Sequence, residues 1–184
     1  MNRAQQAQAE VNRKRVVETA ARLFREDSVA KVSVVDVMTE AGLTHGGFYR
    51  QFASKDALVQ EALNQALDEH QERLDAIRDP ADAEGLARFL DNYLSEVHRE
   101  SLGDGCPLAG FAGDIATPGA DADLRAEFAK GIELYVEKLG DTTAVATIVG
   151  AMILARATAG TELSDRILRE ARASFNDEAP RVHG

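Results

Sequence analysis

The chain has 184 residues, of which 45% are hydrophobic and 5% aromatic, so it can form one large domain or two small ones. Its single cysteine excludes an intramolecular disulfide and a cysteine-rich zinc site. The first fifteen residues are polar and lack the apolar run of a secretory signal, which favours a cytoplasmic protein.

The net charge of −10 is distributed unevenly along the chain. Residues 1–56 contain nine Lys and Arg against seven Asp and Glu, which gives +2. Residues 57–184 contain twelve basic and 24 acidic residues, which gives −12. This split favours an N-terminal part that faces nucleic acid and an acidic body held away from phosphates. Acidity that serves only solubility is the alternative for the body.

Two helices are predicted within the first 41 residues. Residues 13–26 repeat apolar side chains at helical spacing and form an amphipathic helix. A shorter helix follows Ser33, which is placed to cap its N-terminus. Its apolar face is formed at positions i, i+3, i+4 and i+7 by Val34, Val37, Met38 and Ala41.

A turn and a third short helix follow directly. Gly42 tolerates the left-handed conformation that ends a helix, and Thr44 is placed to cap the next one. A helix, a turn containing glycine and a second helix make a helix-turn-helix. Phe48 and Phe52 share the face that packs on the preceding helix. The residues turned away from that core are His45, Gly46, Tyr49 and Arg50.

The two glycines of this third helix are unusual. Each costs roughly 1 kcal/mol against alanine inside a helix, which is easier to explain where another molecule approaches the backbone closely. Lys55 then places a cation at the start of a fourth helix, which Ser54 caps, where a phosphate can sit.

The segment AGLTHGGFYRQF and its continuation SKDAL closely resemble the signature of the TetR family of transcriptional regulators. The resemblance covers about the first third of the chain. It implies that His45, Gly46 and Gly47 begin the base-reading helix and that Ser33, Tyr49 and Lys55 hold phosphates. The complete predicted DNA-binding set is Ser33, Thr44, His45, Gly46, Gly47, Tyr49, Arg50 and Lys55.

The chain departs from the family pattern at two positions. Ser28 stands where the family usually has the glycine that closes the first helix. Gly47 stands where the family usually has Thr or Ser, which removes one phosphate contact.

The remaining sequence predicts further helices and no strand. A rod of about 24 residues, or about 36 Å, runs from Ser54 toward Asp79-Pro80. One stripe follows from Leu86 to Val97, and Cys106-Pro107 opens a short helix. Three more helices end the chain, two of them covering 124–139 and 142–155 and the third beginning at Ser164. The fold class is therefore all-α with about nine helices, divided into residues 1–53 for DNA binding and 54–184 for ligand binding and dimerisation.

Aromatic and Met side chains of the second part suit an apolar ligand cavity. Ordinary core packing is the alternative for each of them. The predicted ligand-binding residues are Phe89, Tyr93, Cys106, Phe111, Phe128, Tyr135 and Met152.

The apolar helix over 142–155 and the last helix resemble the pair with which the family forms dimers. The resemblance implies a four-helix bundle made of two helices from each subunit. The predicted interface residues are Ile148, Ala151, Met152, Ala155, Ile167, Leu168, Ala171 and Phe175.

Cys106 has two interpretations. As the residue before Pro107 it caps a helix whose dipole stabilises a thiolate, so the thiol could sense oxidants or electrophiles. Free cysteine is also among the most buried residue types, which favours a small apolar filler.

No catalytic constellation, metal site or cofactor motif emerges. His70 and His98 are interpreted as surface histidines. The sequence therefore predicts a homodimeric repressor, not an enzyme, that binds a palindromic DNA operator and is released by a small apolar ligand. The alternatives are a helical carrier or enzyme on the same scaffold and a constitutive DNA-binding protein without a ligand.

Overall fold

The computed structural model describes residues 3–79 and 81–177. Within those ranges the chain forms nine α-helices, one 3-10 helix and no strand, which confirms the predicted all-α fold class with ten helices in place of about nine. The bounds are α1 Arg3–Asp27, α2 Val34–Glu40, the 3-10 helix His45–Arg50, α3 Lys55–Leu74, α4 Ala83–Tyr93, α5 Glu96–Glu100, α6 Pro107–Ile115, α7 Ala122–Leu139, α8 Thr142–Ala157 and α9 Glu162–Asp177.

The short helix α2 begins as the sequence predicted. The Ser33 hydroxyl accepts a hydrogen bond from the Asp36 amide at 3.2 Å, and the Asp36 carboxylate accepts one from the Ser33 amide at 2.8 Å. This reciprocal capping satisfies two amides that the helix itself leaves unpaired. After α2, Gly42 adopts φ +68° and the Leu43 amide donates to the Met38 carbonyl at 2.8 Å. That bond turns the chain into the 3-10 helix.

The end of α1 shows the effect of the first departure from the family pattern. Ser28 has φ +76°, the left-handed conformation that glycine adopts at little cost. Its amide still donates to the Phe24 carbonyl at 3.1 Å, so the left-handed turn ends α1 without interrupting its last hydrogen bond. No other non-glycine residue of the described chain has a positive φ.

Helix α3 is shorter than predicted. It ends at Leu74 rather than near Asp79, and Pro80 lies outside the described residues. Ile77 explains the difference, because its fully buried side chain folds back on the core while its amide still donates to the Leu74 carbonyl. The apolar spacing therefore continues past the end of the helix.

The stripe from Leu86 to Val97 is divided between two helices. Helix α4 ends at Tyr93, and α5 begins after Ser95, whose hydroxyl accepts a hydrogen bond from the His98 amide at 3.1 Å. Val97 is 75% exposed, so it does not continue the buried face of α4. Serine competes with the helix by bonding nearby amides, and here it starts a new one.

The helices α6 to α9 begin where local signals predict or close to them. Pro107 occupies the first turn of α6, Gly140 ends α7 at φ +97°, and the Asp141 carboxylate caps α8. Helix α9 begins at Glu162, two residues before the predicted Ser164. One apolar core joins α1, the helix-turn-helix and the later helices.

Among the described helices none alone is long and apolar enough to cross a membrane. Only α7 and α8 taken together meet that test, and they are bent by 110° at the break between them.

Replacing Ser28 with glycine should stabilise the fold. A left-handed L residue costs roughly 1–2 kcal/mol, and the greater freedom of glycine in the unfolded chain cancels about 0.5–1 kcal/mol of the gain. We expect Ser28→Gly to raise the free energy of unfolding by about 0.5–1 kcal/mol in urea denaturation. Ser28→Ala retains the Cβ atom and is the control. Equal stability of the two variants would show that Ser28 is not strained.

Candidate nucleic-acid interface and ligand cleft

The 3-10 helix has one buried and one exposed face. Phe48 and Phe52 are buried and stack with ring centroids 5.3 Å apart, as predicted. On the opposite face Tyr49 is 69% exposed, and the His45 ring lies edge-on to it at 6.1 Å. Among the other predicted reading residues, Thr44, Gly46 and Arg50 are exposed and Gly47 is half-buried.

Nothing inside the chain requires glycine at Gly46 or Gly47. Neither residue has a positive φ. A Cβ atom at Gly46 would meet nothing within 4 Å, and one at Gly47 would meet only the Met38 side chain at 3.7 Å. Since conformation and packing both tolerate alanine, the absence of side chains leaves the backbone of this exposed face open to close approach.

Two predicted contact residues have other partners within the chain, and a third lacks the predicted one. The Ser33 hydroxyl lies 2.6 Å from the Asp36 carboxylate, to which it donates. The Lys55 ammonium is half-buried and donates to the Val29 carbonyl at 2.5 Å. Thr44 precedes the 3-10 helix in an extended conformation, but its hydroxyl makes no capping hydrogen bond, contrary to the prediction.

Much of the positive charge of the N-terminal part is paired with carboxylates. Arg13 binds the Glu61 carboxylate through both terminal nitrogens and lies 4.6 Å above the centre of the Phe52 ring. Arg22 donates to Glu26 at 2.9 Å and to Glu40 at 2.7 Å. These pairs fix α1 against α2 and α3.

A cleft of about 820 Å³ opens beside α3, α4, α5 and the segment 101–106. Two of the predicted ligand-binding residues, Phe89 and Tyr93, line it, and their ring centroids lie 5.4 Å apart. The complete lining is His70, Arg73, Ala76, Arg88, Phe89, Asn92, Tyr93, Ser95, Val97, His98, Ser101 and Asp104.

The other five predicted ligand residues do not line this cleft. Phe111 is fully buried and packs edge-on against Phe24 at 6.4 Å, so it joins α6 to α1. Met152 is fully buried and Phe128 half-buried in the core. Cys106 and Tyr135 lie in the hydrogen-bonded layer formed with the cleft histidines. Apolar character alone did not distinguish the residues that line the cleft from those of the hydrophobic core.

The two histidines are buried rather than exposed, contrary to the sequence interpretation. Desolvation lowers the pKa of His70 to about 3 and that of His98 to about 4, so both rings are neutral at neutral pH. His98 Nδ1 lies 2.7 Å from the Tyr93 carbonyl and must donate to it. Its Nε2 atom therefore accepts from the Cys106 amide at 3.0 Å.

His70 continues the same buried layer. Arg73 donates toward His70 Nε2 at 3.3 Å, so Nδ1 carries the proton and donates to the Tyr135 hydroxyl at 3.0 Å. That hydroxyl lies 3.5 Å from Cys106 Sγ. Burial raises the pKa of both Tyr93 and Tyr135, so these phenols stay protonated. Helical periodicity gives no sign of this layer, because its members come from four separate segments.

Cys106 precedes α6 as predicted, but its thiol makes no capping hydrogen bond. Its side chain is fully buried. A reactive thiol must be reached by its oxidant or electrophile, so this burial favours the packing interpretation over the sensor one.

The predicted dimer residues divide into two groups. Ile148, Met152 and Ala155 are fully buried within one chain, and Ala151 and Leu168 are nearly so. These five fill the core between α8 and its neighbours and are not accessible to a second subunit. The half-buried residues of the predicted set are Ile167, Ala171 and Phe175.

A different face of α8 is accessible. Ile153 is 39% exposed and Leu154 57% exposed, and Leu163 at the start of α9 is 42% exposed. The periodicity of the α8 sequence did not distinguish its two faces because the helix is apolar almost all round. The accessible residues that share this α8 face are Ala146, Gly150, Ile153, Leu154 and Ala157.

Comparison with known proteins identifies the family. The profile described as "Bacterial regulatory proteins, tetR family" matches residues 16–62, which comprise the C-terminal half of α1, all of α2 and the 3-10 helix, and the start of α3. This N-terminal part of the chain is a TetR-family sequence. The matched part includes the whole exposed reading face.

Two curated relatives of the chain are transcriptional regulators. It is 26% identical over 125 residues to the HTH-type transcriptional repressor DhaR of Mycobacterium sp. (strain GP1), covering 68% of this chain and 62% of the relative. It is 32% identical over 106 residues to the HTH-type transcriptional regulator TtgR of Pseudomonas putida, covering 56% and 49%. The chain thus spans about half to three-fifths of the length of these relatives.

Solved structures share the complete fold. The reduced form of E. coli NemR superposes with a TM-score of 0.74 at 16% identity, covering 90% of this chain and 96% of that one. A TetR transcriptional regulator from Chloroflexus aurantiacus superposes with a TM-score of 0.73 at 24% identity, covering 93% and 95%. The likeness therefore extends through the C-terminal helices, which the family profile does not reach.

The buried histidines should make the fold sensitive to acid. Their pKa values are 6.5 in the unfolded chain but about 3 and about 4 in the folded one, so only the unfolded state binds these protons near pH 5. We expect stability to fall as the pH decreases from about 6.5 toward 4, by up to roughly 2.7 kcal/mol per pH unit for both histidines.

Urea unfolding at a series of pH values measures this slope. The double variant His70→Gln/His98→Gln should flatten the slope, whereas His45→Gln on the exposed face should leave it unchanged. The same acid slope in the double variant and the wild type would assign the effect to other groups.

Proposed function

We propose that this protein is a homodimeric transcriptional repressor that binds a palindromic DNA operator and releases it when a small molecule enters the cleft. The single observation that carries the proposal is the exposed, glycine-containing face of the 3-10 helix within a helix-turn-helix. The names of the related regulators support the same function.

The exposed face of the 3-10 helix has side chains that can contact bases and phosphates in a DNA groove. His45 and Tyr49 present ring edges and a hydroxyl to a base or phosphate, and Arg50 supplies a cation. Gly46 and Gly47 allow the backbone to lie close to the DNA. Ser33 and Lys55 remain proposed phosphate ligands that would first exchange their present partners, Asp36 and the Val29 carbonyl.

Dimerisation is proposed through the accessible face of α8 and the start of α9. Ala146, Gly150 and Ala157 are small enough to let another helix approach, and Ile153 and Leu154 supply apolar area. This surface differs from the one predicted by sequence, although it lies on the same pair of helices. Two copies related by a twofold axis present two reading helices, and such dimers bind half-sites one helical turn or a multiple apart, roughly 34–36 Å per turn.

Helix α6 supplies a contact path between the cleft and the helix-turn-helix. Ser101 and Asp104 of the segment 101–106 line the cleft, and Arg25 of α1 donates to the Gly105 carbonyl at 3.2 Å. At the other end of α6, the Asp114 carboxylate accepts from the Val29 amide at 2.9 Å. Val29 directly follows the left-handed turn at Ser28. A ligand that displaces the segment 101–106 would therefore move groups bonded to the end of α1 and to the start of the α1–α2 connection.

Reciprocal linkage completes the mechanism. A ligand that prefers the arrangement unable to fit the operator must weaken operator binding, and the operator must weaken ligand binding by the same factor. Selection of bound duplexes from a random DNA pool tests the first half of the function. A screen for compounds that release the selected duplex tests the second half.

Gly46→Ala should separate folding from DNA binding. Since an added Cβ atom meets nothing within the chain, we expect stability equal to the wild type or up to about 1 kcal/mol higher. The same methyl group would separate the backbone from the groove, and we expect operator affinity to fall at least tenfold. His45→Ala should instead change which bases are selected at one position of each half-site.

Gel-shift titration and repeated duplex selection measure these effects. Lys130→Gln, which removes an exposed charge from α7, is the control and should bind as the wild type does at equal ionic strength. Wild-type operator affinity in Gly46→Ala would place the DNA contact on another surface.

The dimer surface predicts a monomeric variant that still folds. Leu154→Asp introduces a carboxylate that is exposed to solvent in a single chain but buried in the apolar interface of the proposed dimer. Burying an unpaired charge costs several kcal/mol. We expect a folded monomer at micromolar concentration in light scattering. Val11→Asp, at a 60% exposed position of α1, is the control and should remain dimeric. A monomeric wild type, or a dimeric Leu154→Asp protein, would contradict this interface.

A further inference from the structure

Arg73 brings to the cleft a positive charge with no carboxylate partner. Its guanidinium donates to the Asp104 carbonyl at 3.1 Å and toward His70 Nε2 at 3.3 Å, and both acceptors are neutral. In the part of the chain that the structure describes, no carboxylate lies within 4.0 Å of it. A guanidinium has five N–H donors, so several remain available to an anion.

The charge of the cleft contrasts with that of its surroundings. Arg73 and Arg88 are basic and Asp104 is acidic, which gives the lining a formal charge of +1 with its histidines neutral. Arg88 is paired with Glu84 outside the lining, so Arg73 is the lining cation whose charge has no carboxylate partner among the described residues. Residues 57–184 together carry −12. A positive cleft within an acidic body favours an anionic ligand over a cationic one.

Tyr93 gives the cleft an unsatisfied polar group. The side chain is only 4% exposed, and its hydroxyl has no hydrogen-bond partner among the described residues. Leaving a buried hydroxyl unpaired destabilises the fold, and an acceptor on a ligand could offset that cost.

The remaining wall suits a flat apolar body. The Tyr93 ring lies between the Phe89 ring at 5.4 Å and the His98 ring at 4.6 Å. Val97 adds an aliphatic side chain that is 75% exposed. A volume of about 820 Å³ is within the range of small-molecule sites, and rings stack well on such walls.

We infer that the cleft binds small aromatic carboxylates, with the carboxylate on Arg73 and the ring against Phe89 and Tyr93. The inference rests on the proposed role of the cleft as the regulatory ligand site. A guanidinium and a carboxylate match in geometry as well as charge, because two parallel N–H groups meet two oxygens. The Tyr93 hydroxyl completes the site by donating to an acceptor on the ligand.

A pair of probes of equal size isolates the role of the charge. Isothermal titration calorimetry at pH 7 compares 2-naphthoate with 2-naphthamide, in which an uncharged NH2 group replaces the charged carboxylate oxygen. We expect the wild-type protein to bind 2-naphthoate at least tenfold more tightly. Arg73→Gln should reduce this preference to about twofold or less, whereas Lys130→Gln, which removes a charge outside the cleft, should retain it.

Tyr93→Phe supplies a readout that a purely structural residue would not give. Because the hydroxyl has no partner in the chain, its removal should leave thermal stability unchanged or slightly higher. It should nevertheless weaken 2-naphthoate binding about three- to tenfold, the range of a lost hydrogen bond. A loss of stability without a loss of affinity would overturn the role of Tyr93 as a ligand donor.

The titration uses protein without DNA, so its outcome is separate from that of the operator experiment. Equal affinity for the two probes, no binding of either at millimolar concentration, or an unchanged preference in Arg73→Gln would overturn the inference while leaving operator binding intact. Tight 2-naphthoate binding that fails to release the selected duplex would contradict ligand-controlled release and leave the ligand class standing.

Discussion

The buried guanidinium of Arg25 is the interaction on which the arrangement of the two halves depends. Its side chain is 2% exposed and joins three parts of the chain: the Ala21 carbonyl of α1, the Glu69 carboxylate of α3 and the Gly105 carbonyl. A buried cation that loses a partner costs roughly 3–5 kcal/mol, so these contacts are kept or lost together. A movement of the segment 101–106 would therefore be transmitted to α1 through Arg25.

The packing around Arg25 is equally constrained. A Cβ atom at Gly110 of α6 would lie 2.8 Å from Arg25 Cγ, so α6 can cross α1 closely only because this residue is glycine. Phe111, next along α6, packs on Phe24 of α1. The helix that follows the cleft wall is thus fixed on the DNA-reading half by a charge, a glycine and an aromatic pair. This arrangement makes α6 the element that connects the cleft with the helix-turn-helix, as the proposed ligand control requires.

The cleft and the buried layer behind it differ in how their polar groups are satisfied. His70, His98 and Tyr135 form a continuous set of hydrogen bonds within the protein. Arg73 and Tyr93, at the same wall, retain donors that no carboxylate or acceptor of the described chain uses. Satisfied groups rigidify a site, whereas unsatisfied ones give it a preference for a ligand of particular chemistry. The position of both kinds in one wall favours a preformed site.

Local sequence determined the helices and their starts, and with them the reading face. Capping by Ser33, the turn at Gly42 and the pair Phe48 and Phe52 act over a few residues, so their consequences can be worked out without the rest of the fold. The same short range explains why the resemblance of one 12-residue segment was enough to indicate the family.

Tertiary structure decided which apolar residues form core, cleft and accessible surface. Ile148 and Leu154 look alike in an apolar helix, yet one is fully buried and the other 57% exposed, because only the neighbouring helices distinguish the faces of α8. His70, Tyr135 and Cys106 meet although they lie far apart in sequence. Helical periodicity shows which side of a helix is apolar but not which other helices pack against it. The burial of the histidines, the cleft and the accessible face of α8 therefore depend on the packing of the whole chain.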